Sequence, residues 1–534
     1  MWTVAALAIA AVLLVPVLAV VSSLAHPVME VWAHLWRTQL AELTLNTLAL
    51  LGGVGLGTLA VGTALGWLVT GYEFPGRRVF EWALILPLAV PAYVIGFALL
   101  GLLDYAGPLQ TALRERLGPG ATLPDPRAYW GVVLVMTLVF YPYVYLLART
   151  AFREQGAATL ETARALGRSR WAAFRAVSLP MARPSLAAGT ALAMMEALAD
   201  FGTVATFGYR TLTEAIYRVW YGMFDRAAAA QLASLLLVFA LGLLALERAL
   251  RGRARFVQSQ RRGPGVRRVP LAGWRASLAS VVCGLVLAAA FVVPVGQLLL
   301  WARDAAAGWR AVVPAFGTVL TNTVALASAA ALLACVLALA LAYASRLHPS
   351  VAVRAATRLA GMGYALPGSV IAVGVLIPVA WLDHGLAGAA EWLLGRPAGL
   401  ILTGSAAALV FAYTVRFLAV ALQTLEASLV KIPPSFDDAA RSLGAGAGGT
   451  LTRIHLPLMR GGILTALVLV FVETVKEMPA TLLLRPFGLN TLAVAVWERT
   501  VESQWAEASV PALAIVAAGL LPVFLAVRLS SRSR

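Results

Sequence analysis

The amino-acid sequence predicts an all-α polytopic membrane protein, with about 12 transmembrane helices in two parallel, pseudo-symmetric six-helix halves. Apolar residues make up 60% of the 534 positions and charged residues 13%, about half the charged share of a soluble protein. The apolar residues form long runs, and several motifs recur at one spacing. Soluble, disordered and disulfide-stapled classes are excluded, because polar side chains are too few and only two cysteines are present.

Twelve apolar segments are long enough to cross the hydrocarbon core of a bilayer, which takes about 20 helical residues. They lie near residues 2–23, 44–70, 80–103, 129–149, 183–205, 229–248, 277–301, 319–344, 358–381, 399–421, 461–484 and 508–528. No segment shows the alternation of a barrel strand, so helices are predicted. The first segment lacks a basic region ahead of it, which predicts an uncleaved span rather than a signal peptide.

The arginines of the chain predict its orientation. They cluster between alternate spans, most densely over residues 248–275. If the N-terminus starts in the cytoplasm, every cluster faces the cytoplasm, as the positive-inside rule requires. We therefore predict cytoplasmic N- and C-termini, and we assign the net charge of +17 to membrane topology rather than to nucleic-acid binding.

Motifs of the first part of the chain recur in the second part. An Asn-Thr pair opens the second and the eighth span, Pro91 matches Pro367 at an offset of 276 residues, and a Leu-Pro pair recurs at 277. Because six spans per half is an even number, the halves share one orientation, and a translocation path between them is expected. The predicted domains are a first transmembrane half (residues 1–248), a cytoplasmic arginine-rich linker (249–276) and a second transmembrane half (277–534).

The cytoplasmic loops after the fourth and tenth spans share one pattern, within residues 160–180 and 436–457. An acidic residue is followed by alanine, a glycine four residues later, and then an aliphatic residue before Leu-Pro. Alanine and arginine favour a short helix, Gly167 or Gly444 stops it in a tight turn, and a second helix runs to the proline. The small alanines allow another protein to approach closely. An ordinary basic amphipathic loop on anionic lipid is the alternative interpretation.

The loop pattern resembles the coupling loops of ABC-transporter permeases, the subunits that take substrate from a binding protein. The resemblance covers nearly the whole chain, and residues 199–208 and 476–487 are similar to the ferric-iron permease subfamily with two fused halves. It implies the type I (MetI-like) ABC importer permease fold in a bacterial cytoplasmic membrane, surrounded by membrane lipid. By motif position, the ATPase-coupling residues are Glu161, Ala163, Gly167, Asp438, Ala439, Ala440 and Gly444. The chain departs from the family pattern at Thr162 and in having aspartate at Asp438.

The resemblance also implies two copies of a separate ABC ATPase and an extracytoplasmic iron-binding protein as partners, and no nucleic acid. The sequence itself has no nucleotide site, because its only lysines, Lys431 and Lys476, do not follow a glycine as in a phosphate-binding loop. No cofactor is therefore expected on this chain, since ATP is bound by the partner. We predict a transport subunit and not an enzyme.

Four carboxylates lie inside predicted spans, where charges are costly and mark functional candidates. Glu196 and Asp200 are in the fifth span, and Glu473 and Glu477 lie at equivalent places in the eleventh. Each pair has the spacing that puts both groups on one helix face. Facing one axis, they would suit a hard, oxygen-seeking cation and repel sulfate or phosphate. A structural role, such as local pairing with Lys476, is the alternative, and no metal ligand is firmly assigned.

The sequence therefore predicts the permease subunit of an ABC importer, with Glu196, Asp200, Glu473 and Glu477 along the path of ferric iron. Two alternatives stay open at this point. The same family imports thiamine or polyamines, and a transporter driven by an ion gradient would need no ATPase.

Overall fold

The computed structural model describes residues 2–25, 29–155, 165, 167, 169–251, 268–305, 309–394 and 400–532. Within these residues the chain is almost entirely α-helical, and its buried apolar core runs through both halves. The long apolar runs form helices because a backbone in lipid must satisfy its own hydrogen bonds.

The elements of the first half are α1 (Trp2–Ser22), α2 (Met29–Thr38), α3 (Leu40–Gly71), β1 (Tyr72–Glu73), α4 (Arg77–Ala83), α5 (Ala92–Leu103), α6 (Pro108–Leu117), α7 (Tyr129–Glu154), α8 (Arg170–Ala173), α9 (Leu179–Ala199), α10 (Gly202–Thr206), α11 (Leu212–Gly222) and α12 (Arg226–Arg251). The linker and the second half contain β2 (Val269–Pro270), α13 (Trp274–Leu287), α14 (Val293–Ala305), α15 (Trp309–Leu347), α16 (Val351–Ala360), α17 (Gly368–Leu394), α18 (Ala406–Leu429), α19 (Ser435–Ser442), α20 (Ala447–Thr450), α21 (Leu456–Lys476), α22 (Pro479–Leu484), α23 (Leu492–Val501) and α24 (Trp505–Arg532).

Eleven helical stretches among the described residues are long and apolar enough to cross a membrane. They correspond to all the predicted spans except the fifth, residues 183–205. Its helix α9 has 21 residues, but Arg183 and Glu196 lower its mean hydropathy. α9 still packs against α3, α7 and α12, so it lies within the bundle. The polytopic all-α fold is confirmed, with one helix less apolar than predicted.

The third and ninth predicted spans are interrupted at equivalent points. A 3₁₀ turn at Leu86–Ala89 separates α4 from α5, and one at Gly361–Ala365 separates α16 from α17. The residue after each turn is extended, with ψ of 126° and 136°, because the proline that follows disfavours helical backbone there. In each half, therefore, a short helix precedes the spanning helix at this point, and a turn separates the two.

The helix that follows each glycine turn extends further than predicted. A π-helical turn, at Phe174–Ser178 or Leu451–His455, leads directly into α9 or α21. Pro180 and Pro457 lie in the first turn of those helices, and the wider π turn accommodates a residue that has no N–H. In both halves the segment after the glycine turn is thus continuous with the fifth or eleventh span.

The first span of each half packs against the other half. α1 lies along α15, α16 and α17, and the ring centres of Trp2 and Tyr343 are 5.0 Å apart. A Cβ on Gly374 would lie 2.3 Å from the carbonyl oxygen of Pro16, so this crossing requires glycine. α14 crosses to the first half and packs against α5. The two halves of the sequence are therefore not two separate bundles in space.

α4, the end of α7 and β2, which all belong to predicted cytoplasmic segments, lie together on one face, which we call the arginine-rich face. Glu81 of α4 is 3.0 Å from Arg77 and 3.5 Å from Arg153, which joins the loop after the second span to the end of the fourth. β1 pairs in parallel with β2, so the end of the linker lies at the same place. This arrangement agrees with the predicted topology, in which these segments share one side.

The repeated Asn-Thr pair holds the opposite end of each half. The Thr47 hydroxyl accepts a hydrogen bond from the Leu212 N–H at 3.1 Å. The Thr323 hydroxyl accepts one from the Leu492 N–H at 2.8 Å. The pair thereby fixes where α11 and α23 begin, at the outer side of the path between the halves.

Candidate functional site

The cytoplasmic loop of the second half forms the short helix and glycine turn that its sequence predicts. α19 is followed by Gly444, whose φ of 77° is left-handed. The Ala445 N–H donates to the Ala440 carbonyl at 2.9 Å and closes the helix end. This turn leads the chain from α19 into α20.

The outward side of α19 is accessible to a partner. Asp438 and Ala439 are exposed, whereas Ala440 packs inward. Two apolar side chains are also exposed, since Phe436 and Leu443 are 44% and 87% accessible. Apolar side chains on a polar face are typical of a protein contact surface.

A buried anchor that sequence reasoning missed holds α19 in place. Asp437 accepts hydrogen bonds from the Arg346 guanidinium at 2.6 and 2.9 Å, and its other oxygen is 2.9 Å from His455 Nε2. Arg346 also donates to the carbonyl oxygen of Leu429 at 2.7 Å. No sequence signal identifies this cluster, because its members are far apart in the chain and have no charged counterpart at the same repeat positions of the first half.

The first loop is described only in part. Glu161 and Ala163 lie outside the described residues. Gly167 has a left-handed φ of 81°, as at Gly444. After it, the Ser169 hydroxyl accepts the Ala172 N–H at 3.2 Å and begins α8. The predicted glycine turn is therefore present in both halves.

Gly444→Val is expected to weaken both ATPase attachment and transport. A side chain at this φ costs about 1–2 kcal/mol, although open space surrounds the position. Gly446→Val is the matched control, because Gly446 is also unobstructed but has an ordinary φ of −72°. Co-purification of the ATPase with each variant measures the effect. Equal attachment in the two variants would contradict a need for the left-handed turn.

A cavity of about 120 Å³ lies between the halves, and we call it the central cavity. All four predicted carboxylates line it, together with two basic side chains. The lining charged residues are Glu196, Asp200, Glu473, Glu477, Arg416 and Lys476. The fold thus brings the carboxylates of the two halves to one place.

Two of these carboxylates lie just beyond a spanning helix and begin a short one. α9 ends before Asp200, whose carboxylate accepts the Thr203 N–H at 2.7 Å. α21 ends before Glu477, whose carboxylate accepts the N–H groups of Ala480 and Thr481 at 3.0 Å. The fifth and eleventh spans are therefore broken at the level of the cavity, and the predicted continuous helix face is interrupted there.

The positive charges of the cavity both belong to the second half. Arg416 is 2.9 Å from Glu477, and Lys476 is 3.4 Å from Glu473. The predicted local pairing of Glu473 with Lys476 is thus present. Glu196 accepts a hydrogen bond from the Tyr364 hydroxyl at 3.1 Å. The two first-half carboxylates form no ion pair with a described residue.

The carboxylates do not form a ready-made metal centre. Over the described ranges, no group of three or more His, Cys, Asp or Glu side chains is placed to hold a metal ion. A path must bind its cargo weakly enough to release it.

Two contacts between the halves border the central cavity. Phe201 lines both it and an outer cavity of about 460 Å³, and its ring centre is 4.6 Å from Tyr217 and 5.0 Å from Trp497. On the other side, Tyr364 bonds to Glu196 and lines an inner cavity of about 560 Å³. The central cavity thus lies between the other two, and an aromatic contact and a hydrogen bond mark its borders with them.

Two arginines, Arg210 and Arg218, also line the outer cavity. Arg218 donates to the Gln39 side chain at 3.1 Å and is 3.6 Å from Glu214. Burial raises the pKa of Glu214 above its usual range, and Arg218 and Arg210 oppose that rise. These arginines are therefore partly engaged within the chain.

The fold and the cavities define a membrane transport subunit with a path between two like halves and exposed cytoplasmic elements. Residues 58–256 and 334–534 each match the family of binding-protein-dependent transport system inner membrane components, and the chain belongs to that family. It is a multi-pass permease component of an ABC importer, which works with a binding protein and an ATPase. Membership decides against the ion-driven transporter that the sequence left open.

The relatives differ in how much of the chain they match. The chain is 28% identical over 501 residues to the Fe(3+)-transport system permease protein FbpB 2 of Haemophilus influenzae, covering 92% of this chain and 90% of the relative. It is 29% identical over 188 residues to the molybdenum transport system permease protein ModB of Escherichia coli, which is 34% of this chain and 78% of the relative. It is 29% identical over 242 residues to the sulfate transport system permease protein CysT of Escherichia coli, which is 44% of this chain and 84% of the relative.

Proposed function

We propose that this chain forms the path for ferric iron, which an extracytoplasmic iron-binding protein delivers and two copies of a separate ATPase drive across. The convergence of four carboxylates on the central cavity carries the proposal. Similarity to an Fe(3+)-transport permease along both halves supports it.

The charge distribution favours Glu196 and Asp200 as the groups that meet the cation. Glu473 and Glu477 are engaged by Lys476 and Arg416, so the second-half wall is close to neutral. Among the described residues, no basic side chain pairs with Glu196 or Asp200 in this way. A hard cation in the central cavity would therefore be drawn toward the first half.

Movement of the cargo requires the two bordering contacts to open in turn. Separation of Phe201 from Trp497 would admit the cation from the outer cavity. Motion of the segments after the two glycine turns passes directly into α9 and α21, because each segment is continuous with its span. Breaking the bond between Tyr364 and Glu196 would then release the cation toward the inner cavity.

An oxyanion is the second candidate cargo. Arg416 and Lys476 reach the same cavity, so the expectation that it repels sulfate rests on carboxylates alone. The similarity to molybdenum and sulfate permeases also favours this candidate. Its weakness is the excess of carboxylates, four against two basic groups, in the cavity lining.

Uptake by cells that produce the chain with its ATPase and binding protein tests the cargo. Radioactive ferric iron should accumulate, while molybdate and sulfate should not, and excess thiamine or polyamine should not compete. Cells with an ATPase that cannot hydrolyse ATP are the control. ATP-dependent accumulation of either oxyanion instead of iron would overturn the proposal.

A further inference from the structure

A large apolar cleft opens between α3, α9 and α12, next to the inner cavity, with which it shares the lining residues Ala191 and Glu247. Its volume is about 1050 Å³, at the upper end of the range of about 300–1,000 Å³ for small-molecule pockets. Its lining is dominated by aliphatic and aromatic side chains of the three helices. A hydrocarbon ligand fits this lining better than a polar one.

The cleft has the depth of one membrane leaflet. Along α3 it extends from Leu59 to Leu68, which is about 14 Å at a rise of about 1.5 Å per residue. Half of a hydrocarbon core of about 30 Å is close to that length. α3 ends at Gly71 on the arginine-rich face, so the cleft lies on the cytoplasmic side of the predicted topology.

Aromatic and basic side chains mark the cytoplasmic end of the cleft. Trp67 and Phe174 line it with ring centres 4.5 Å apart, and Trp171 stacks on Phe174 at 5.3 Å. Arg183 also lines the cleft, is exposed, and makes no ion pair with a described residue. Glu247 on the α12 wall already has an interaction of its own. Tryptophan and arginine are typical of the level of lipid headgroups.

We infer that this cleft holds an acyl chain of an anionic phospholipid of the cytoplasmic leaflet, with its phosphate at Arg183. The occupant lies against Trp171 and Phe174, in the segment that joins the first glycine turn to α9. Since α9 also carries Glu196, a bound lipid supports the helix that links the first coupling loop to the central cavity. The site is specific to the first half, because the residues that match Trp171 and Phe174 at an offset of 277 are Gly448 and Leu451.

Lipid binding to the purified full-length chain tests this inference. The chain is stripped of lipid in detergent and titrated with phosphatidylglycerol or phosphatidylcholine, and native mass spectrometry measures the bound fraction. Wild type should bind one phosphatidylglycerol more tightly than phosphatidylcholine. Arg183→Gln should weaken phosphatidylglycerol binding about fivefold, because one arginine near the headgroups is lost. Ala64→Phe, which fills the exposed wall of the cleft, should abolish binding of both lipids.

Arg460→Gln is the matched control, since Arg460 occupies the repeat position of Arg183 and is also exposed. It should bind phosphatidylglycerol as wild type does. The inference is overturned if Arg183→Gln and Ala64→Phe both bind like wild type, or if the two lipids bind wild type equally. Circular dichroism of each variant verifies that the helices are intact.

Discussion

Uptake of ferric iron should fall at least tenfold, a change of about 1.4 kcal/mol, when Glu196→Gln and Asp200→Asn are combined. These are the two cavity carboxylates that form no ion pair with a described residue. At an effective dielectric constant of about 20, a carboxylate about 4 Å from a unit positive charge contributes about 4 kcal/mol. Both substitutions keep an oxygen that accepts the existing bonds from Tyr364 and Thr203, so the fold should persist. Uptake of radioactive iron measures the effect.

Glu473→Gln is the control for this double variant, because Lys476 already compensates Glu473. We expect its uptake to decrease less than that of Glu196→Gln alone. The ATPase rate of each assembled complex shows whether the subunits still associate. Iron uptake that survives the double variant would remove the role given to the carboxylates, whereas equal losses in all single variants would remove only the assignment to the first half.

Asp437→Ala should destabilise the second coupling loop and release the ATPase there. Arg346 and Asp437 are 15% and 19% exposed, so the variant leaves a largely buried guanidinium without its counter-charge. Loss of one partner from a buried pair costs about 3–5 kcal/mol, and we expect about 2 kcal/mol at this partial exposure. The midpoint of thermal unfolding at a fixed heating rate and the amount of co-purified ATPase measure the two effects.

Asp438→Ala tests attachment of the ATPase separately from the stability of the chain. Asp438 is 67% exposed and its contact is with Arg441 on the same helix. Its loss should change stability by no more than about 0.5 kcal/mol. ATPase attachment should still decrease, because the loop pattern gives Asp438 the anchoring position for a basic partner. Unchanged attachment in Asp438→Ala would contradict that assignment, and an unchanged unfolding midpoint in Asp437→Ala would contradict the anchor.

The spans and the repeat were predictable because they depend on local features of the sequence. Apolar length sets the helices, and the recurrence of Pro91 at Pro367 reveals the duplication. That the first span of each half packs against the other half was not predictable. It depends on which surfaces fit, such as the close contact of Gly374 with the Pro16 carbonyl, and hydropathy contains no information on that.

The carboxylates of the central cavity were predictable from the sequence, but the ion pair between Glu477 and Arg416 was not. The same rule that selects Glu196 applies to Arg416, a charge inside the predicted tenth span, and sequence reasoning overlooked it. That Arg416 meets Glu477 follows only from three-dimensional packing. The breaks at Asp200 and Glu477 were hidden as well, because each carboxylate ends one helix and begins another within an apolar run.

The unequal walls of the central cavity have a consequence for how such a path can evolve. In a dimer of two identical chains, rotation about the shared axis would present every pore-facing side chain twice. A single polypeptide that contains both halves is free of that constraint. Arg416 and Lys476 therefore occur once, opposite Phe140 and Ala199 by the repeat offsets of 276 and 277. Fusion of the two halves in one chain thus permits an asymmetric pore, in which one wall can attract the cargo while the acidic groups of the other wall are paired with basic side chains.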